Sequence, residues 1–545
     1  MVCLRFGASI LVLLLAVGLG CAPPTGDASP AGEGPSEDYR PEGWPARTLP
    51  EIAEALRAGE VSSEQVVQAY LDRIERIDRS GPELRSVLAL NPRALEDARA
   101  ADAAREAGEE LGLLHGVPVL LKDNIESADP VATTAGALAL EANVTERDSP
   151  LVAGLREAGA IILGKTNLSQ WANFRSRDSM SGWSALGGQV RNPHMTDRNP
   201  CGSSSGSGAA VAASLGSGAV GTETNGSIIC PSTVNGIVGF KPTVGLVSQQ
   251  YIVPISSSQD TAGPMTKTVR GTAMMLTAMA TGEGKTDYVA ALDENALAGK
   301  RVGVLRFATG SNADTIALFD SAVAAMEEAG ATLVEIEDFD AGVDNWGGKS
   351  AMLMETEFKA TLDAYLADAA AAVEVRSLEE LIAFNERHAD VELALFDQSL
   401  FELSVERKGL DDPEYVAARD EVQRAVRQDG IDRLLAEHEV DVLVSPSGPV
   451  APRIDPVNGD VWPSWAGAGW MAAVAGYPHL SVPMGDVHGL PVGVSFMAGA
   501  GDDAAVIAVG YAYEQRTGHR VEPGYLPGAE ARTEIGDAMR GTVER

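Results

Sequence analysis

The spacing of apolar and polar residues divides the chain into short helices and buried strands. Behind Ser62, VSSEQVVQAYLDRIERI carries apolar residues at helical spacing, and Gln65 stands where a capping box needs it. A second long helix is expected over residues 92–110. GLLHGVPVLLKDNI is a continuous apolar run, the pattern of a buried strand, and it ends at Lys122. A lysine in that place is either a side chain snorkelling from a strand end or a buried amine. Residues 199–231, NPCGSSSGSGAAVAASLGSGAVGTETNGSIICP, carry a single ionised side chain, Glu223. Within them AAVAAS suits a helix and GAVGTET a short buried strand, which a flexible Gly/Ser linker would not contain. Downstream, KRVGVLRF (300–307) and ATLVEIE (331–337) are expected strands around a helical segment. About 340–438 is expected to be a helical insertion or lid, with Ser377 and Glu380 as a capping box, and EVDVLVSP (439–446) returns to the sheet.

Composition narrows the partners. The chain has 545 residues, enough for a large core, and 45% of them are hydrophobic. A formal charge of −35 disfavours a nucleic-acid partner, because phosphate binding needs a basic surface. Four cysteines are too few for a disulfide scaffold, and the seven histidines have no metal-ligand spacing, so neither a metal nor another cofactor is inferred. At the N-terminus Arg5 precedes the apolar run ASILVLLLAVGLG and Cys21. The run is short for a membrane span and ends in small residues, as an export signal over residues 1–21 would. GLGC resembles a bacterial lipobox, with Cys21 as the lipidated residue, although Gly18 and Leu19 depart from its usual pattern. A cleaved signal without a lipid is the alternative. Residues 22–45, with six Pro and four Gly, suit a disordered tether. The folded domain is placed at 46–530, followed by a polar tail at 531–545.

Two motif matches fail on context. GAIILGKT (159–166) fits a phosphate loop letter for letter, but its four variable positions form an apolar strand. GSSSG (202–206) fits a nucleophile elbow around Ser204, but His479 and His519 have no distinctive context and the second Ser-rich turn at Thr224–Ser227 would go unexplained. Ser–Ser–Lys chemistry accounts for more. A buried neutral lysine can take a serine's proton, a second serine can relay it, and a Gly/Ser turn can aim backbone N–H groups at an oxyanion.

GVPVLLKDN, NPCGSSSGSGAAVAA, GTETNGSIICP and GIVGFKPTVGLVS together resemble the amidase signature family. SQDTAGPM (258–265) and AGYPHLSVPMGDVHGLPVGVSFMA (475–498) continue the likeness, which is nearest to the bacterial peptide-amidase branch. The resemblance implies a mixed, twisted central sheet covered by helices on both faces. It assigns the catalytic lysine to Lys122, the relay serine (held by a cis peptide bond) to Ser203, and the acylated serine to Ser227. The oxyanion donors would be the backbone N–H groups of Thr224, Asn225, Gly226 and Ser227. Asn225, Glu223 and Ile229 depart from the commoner glycine, aspartate and arginine; asparagine tolerates positive φ, so the turn can survive. Cys201 and Cys230 flank the two serine motifs and are expected to be small buried hydrophobes rather than a disulfide. The implied protein is an exported, periplasmic amidase acting on a small-molecule or peptide amide. A transamidase subunit feeding ammonia to glutamyl-tRNA and a catalytically silent binding protein are the alternatives.

Overall fold

The computed structural model describes residues 39–462 and 465–540. The export signal, Cys21 and residues 22–38 of the expected tether lie outside the described residues. Thirteen strands are present among them: β1 (Val87–Leu90), β2 (Pro118–Lys122), β3 (Ile161–Thr166), β4 (Trp183–Ser184), β5 (Gly188–Gln189), β6 (Gly218–Glu223), β7 (Val238–Lys241), β8 (Thr261–Thr266), β9 (Arg301–Leu305), β10 (Thr332–Ile336), β11 (Val442–Pro446), β12 (His479–Val487) and β13 (Leu490–Met497). Eleven of them form one sheet in the order β1-β3-β2-β6-β8-β7-β12-β13-β11-β9-β10, while β4 and β5 pair separately. The sheet is mixed: β2 runs parallel to both β3 and β6, whereas β6, β8, β7, β12 and β13 alternate direction.

Helices flank this sheet, so β2, β3, β6, β7 and β8 are buried at every position. That is why they read as apolar runs rather than alternating ones. The phosphate-loop match falls on β3, and its second glycine has a packing reason. A Cβ on Gly164 would lie 2.3 Å from the carbonyl oxygen of Ala89 in the neighbouring strand. Lys165 is buried and donates to Thr133 Oγ1 at 2.8 Å, so its amine serves the interior.

Local signals in the sequence are realised with small shifts. Ser62 and Gln65 form the reciprocal capping box, each bond 3.1 Å, at the start of the helix Ser63–Arg73. The helix expected over 92–110 is shorter, Ala94–Glu106. Ser377 caps Leu378–Arg387 by accepting from Glu380 N at 3.2 Å, but the Glu380 carboxylate accepts from Arg376 N at 2.7 Å, so only half of that box forms. Ordered packing starts earlier than residue 46. Arg73 donates to the Tyr39 carbonyl at 2.8 Å, Lys267 donates to the Pro45 carbonyl at 2.9 Å, and the Tyr39 ring meets Tyr525 edge-on at 5.7 Å. At the other end, the expected polar tail contains the helix Thr533–Arg540.

The insertion is helical, including Trp346–Ala367, Leu378–Arg387, Ser399–Val405 and Pro413–Val426. It has its own apolar cluster, packed on the segment after β3: Trp171 meets Phe401 at 5.8 Å and Phe174 meets Phe358 at 4.9 Å between ring centroids. Buried Glu357 joins it to the loop before β8, accepting from Tyr415 Oη at 2.7 Å and from Ser258 N at 3.1 Å. A buried carboxylate is tolerated only when its oxygens are satisfied, so these bonds hold one wall of the site in place.

Candidate active site

β2 and β6 lie side by side and parallel, with Leu121 opposite Val220, so Lys122 and Thr222 meet where both strands end. Lys122 is fully buried. Its Nζ lies 2.7 Å from Ser203 Oγ, 2.8 Å from Thr222 Oγ1 and 3.2 Å from the Thr222 carbonyl oxygen. Asn124 Nδ2 donates to Thr222 Oγ1 at 3.0 Å and holds that hydroxyl in place. Burial pushes the Lys122 ammonium down to about 7, against the pull of Asp260 and Glu223. The side chain does not snorkel; it is a buried amine.

The three consecutive serines separate by their partners. Ser204 Oγ donates to the Thr222 carbonyl at 3.1 Å, and Ser205 Oγ donates to the Cys201 carbonyl, so both hydroxyls are bound to backbone. Ser203, preceded by a cis Gly202–Ser203 peptide, is the one beside Lys122. The Ser204 N–H donates to the Ser227 carbonyl at 3.2 Å, which lays the two serine motifs side by side. That pairing also brings Cys201 and Cys230 together, and they form a disulfide with Cα atoms 5.9 Å apart. The expectation of two separate buried thiols is therefore corrected. They are 29 positions apart in sequence, and only the alignment of the serine motifs places them within bonding range. His479 is buried against Ser495 Oγ at 2.6 Å and is thus engaged within the sheet.

The turn 224–227 leaves β6 at Glu223. Glu223 Oε2 accepts from the backbone N–H groups of Ile228 (2.7 Å) and Ile229 (3.0 Å), fixing the start of the helix Ile229–Val234. Thr224 is held from the other side: its Oγ1 donates to Asp260 Oδ1 at 2.6 Å, and Gln259 Nε2 donates to its carbonyl at 3.2 Å. Asp260 Oδ2 accepts from the N–H groups of Ile255 and Ser256, at 2.7 and 2.9 Å, while burial raises its carboxyl to about 6. The left-handed position in this turn is Gly226 (φ +81°), not Asn225. The asparagine departure is thus accommodated without any demand on its φ, and its side chain is exposed.

Ser227 is 8% exposed and opens into a cavity of about 280 Å³. Ser181, from the segment 175–188, and Met354, from the helical insertion, are among the residues that line it. Asp460, Trp462 and Trp465, which were not among the residues expected at the site, line it from the loop between β11 and β12. The only available signal was the aromatic spacing in VNGDVWPSWAGAGW, and it points to no chemistry by itself.

A fully buried lysine against a serine, two serine motifs clasped together and a glycine turn held by carboxylates suit acyl transfer. The amidase family model matches residues 65–507. The chain belongs to the amidase signature family. It is 35% identical over 503 residues to the probable amidase At4g34880 of Arabidopsis thaliana, covering 88% of this chain and 91% of the relative. The native peptide amidase of Stenotrophomonas maltophilia superposes with a TM-score of 0.82 at 46% identity, covering 87% of this chain and 98% of that one. A glutamyl-tRNA(Gln) amidotransferase subunit of Halorhodospira halophila is 35% identical, over 86% of this chain and 97% of its own length. The amidase-signature fold expected from the sequence is the one observed, and the enzyme is an amidase, a hydrolase of amide C–N bonds.

Proposed function

We propose that this amidase works through a Ser227–Ser203–Lys122 relay and an acyl-enzyme on Ser227, and that its substrates are carboxamides, with peptide C-terminal amides foremost. The observation that carries the reading is the surroundings of Lys122 Nζ. A neutral amine has two N–H donors and one lone pair. The Thr222 hydroxyl and carbonyl take the two donors, at 2.8 and 3.2 Å, leaving the lone pair directed at Ser203 Oγ, 2.7 Å away. Lys122 then removes the Ser203 proton, Ser203 takes the proton of Ser227, and Ser227 Oγ attacks the amide carbon. The backbone N–H groups of Thr224, Asn225, Gly226 and Ser227 stabilise the oxyanion. The relay returns the proton to the leaving nitrogen, and water reverses the sequence to release the acid.

We infer further that the enzyme is exported to the periplasm, with a lipid on Cys21. The leader sequence supports this, and so does the Cys201–Cys230 disulfide, since such bonds persist in oxidising compartments. The peptide-amide preference draws on the 46% identity to a peptide amidase. The likeness to the amidotransferase supports a second reading as an ammonia-delivering subunit, which an amidase activity that requires partner proteins would favour.

Intact-mass labelling with a fluorophosphonate tests the relay. One adduct is expected on the wild type, none on Ser227→Ala, and slow labelling on Lys122→Ala. Undiminished labelling of folded Ser227→Ala refutes the assignment. For export, metabolic labelling with palmitate should mark the wild type and not Cys21→Ala.

A further inference from the structure

We propose that Asp460, Trp462 and Trp465 make the cavity selective for amides that carry a cationic group beside the scissile bond, and set it against amides that carry an anion there. The proposal rests on the amidase reading above and deepens it by naming the substrate class. Among the described residues lining the cavity that Ser227 faces, Asp460 is the only one whose side chain carries a formal charge. Its carboxylate accepts from the Ser181 N–H at 3.0 and 3.1 Å and from Asn199 Nδ2 at 2.7 Å. Both donors are neutral, so they fix the group's orientation without cancelling its charge.

The cations on adjoining segments already have partners. Arg177 lies 3.8 Å from Glu355, Arg198 lies 3.3 Å from Asp197, and Arg453 is paired with Glu530. In the wall of the same cavity, Trp462 and Trp465 meet edge to face with ring centroids 5.5 Å apart, and Trp465 is 49% exposed. Large aromatic side chains in one cavity with an uncompensated carboxylate suit an ammonium or guanidinium: the rings attract it by their faces and the carboxylate by charge-assisted hydrogen bonds. A substrate carboxylate in the same place would meet Asp460 with no cation to receive it, which is discrimination by repulsion. The formal charge of −35 acts in the same direction at longer range, drawing cationic peptides towards the surface. The substrate class is therefore a peptide amide whose residue adjoining the carboxamide is lysine or arginine.

The test compares kcat/KM on three matched dipeptide amides that differ only in that residue: lysine, norleucine and glutamate. For the wild type, lysine is expected to exceed norleucine by about tenfold and norleucine to exceed glutamate by a similar factor. Asp460→Asn should bring the lysine-to-norleucine ratio to within about twofold, Asp460→Glu should keep part of it, and Trp465→Ala should lower it. Each ratio is taken within one protein, so a partly inactive preparation does not alter it. Hydrolysis with a wild-type ratio near one, or a ratio unchanged in Asp460→Asn, overturns this proposal and leaves the amidase reading intact. No hydrolysis of any of the three amides, together with no fluorophosphonate labelling, overturns the reading beneath it.

Discussion

Replacing Lys122 by methionine removes the amine and keeps an apolar chain of similar length. The free energy follows from the position of its titration. In the unfolded chain a lysine titrates near 10.5, and in the folded protein burial brings Lys122 to about 7. Between those values the unfolded state binds the extra proton, so the stability of the wild type rises with pH across that window. Below pH 7 both states are protonated and the full cost of the buried ammonium is present. The drop from 10.5 to about 7 corresponds to roughly 5 kcal/mol at low pH. By pH 9 about 2 kcal/mol of that cost remains. Methionine avoids this cost; the Thr222 carbonyl keeps the Ser204 hydroxyl as a donor, but Ser203 Oγ loses its lysine partner, a penalty of about 1–3 kcal/mol that does not vary with pH. Lys122→Met should therefore be more stable than the wild type at pH 6, and its advantage should shrink by about 3 kcal/mol at pH 9. Urea denaturation of both proteins at the two pH values measures this, or their unfolding rates if refolding is incomplete. The same amine shapes catalysis: wild-type kcat/KM on a non-titrating amide should climb with an apparent pKa near 7 and level off above it. The variant should be almost inactive. A stability difference that stays constant between pH 6 and 9, with a flat wild-type rate profile, would refute a buried amine titrating near neutrality.

Other residues of the site give sharper tests of position. Asp260 pulls the Lys122 titration upward, so Asp260→Asn should shift the acid limb of the rate profile to lower pH, with some loss of kcat from the weakened Thr224 anchor; an unmoved limb would contradict that coupling. The Cys201–Cys230 bond closes a loop of 29 positions, which constrains the unfolded chain by roughly 3–4 kcal/mol. Cys201→Ser with Cys230→Ser should lower the melting temperature, and a reductant should then have no further effect on the variant. Gly226 has φ +81° with open space where a Cβ would sit, so Gly226→Ala should cost about 1–2 kcal/mol through the backbone alone and lower kcat more than it raises KM.

Much of the architecture was legible in the sequence because local patterns suffice for it. The buried strands at Lys122 and at GAVGTET appear as apolar runs, since a strand covered on both faces needs no polar side. The capping box at Ser62 and Gln65 involves neighbours within one turn. The phosphate-loop match at β3 could be set aside for the same reason, because an apolar strand was visible in its variable positions. Long-range pairings were not legible in this way. The disulfide depends on Ser204 meeting Ser227 across the fold, and spacing alone does not reveal that alignment. Asp260 reaches Thr224 from 36 positions away, and Asp460 reaches Ser181 from 279. The sequence by itself determined which segments are strands and helices and which residue types are available for chemistry. The tertiary structure alone decided that Cys201 and Cys230 are bonded, how far burial depresses the proton affinity of Lys122, and which loop closes the cavity, because desolvation and hydrogen-bond reach depend on neighbours that the chain brings together only on folding.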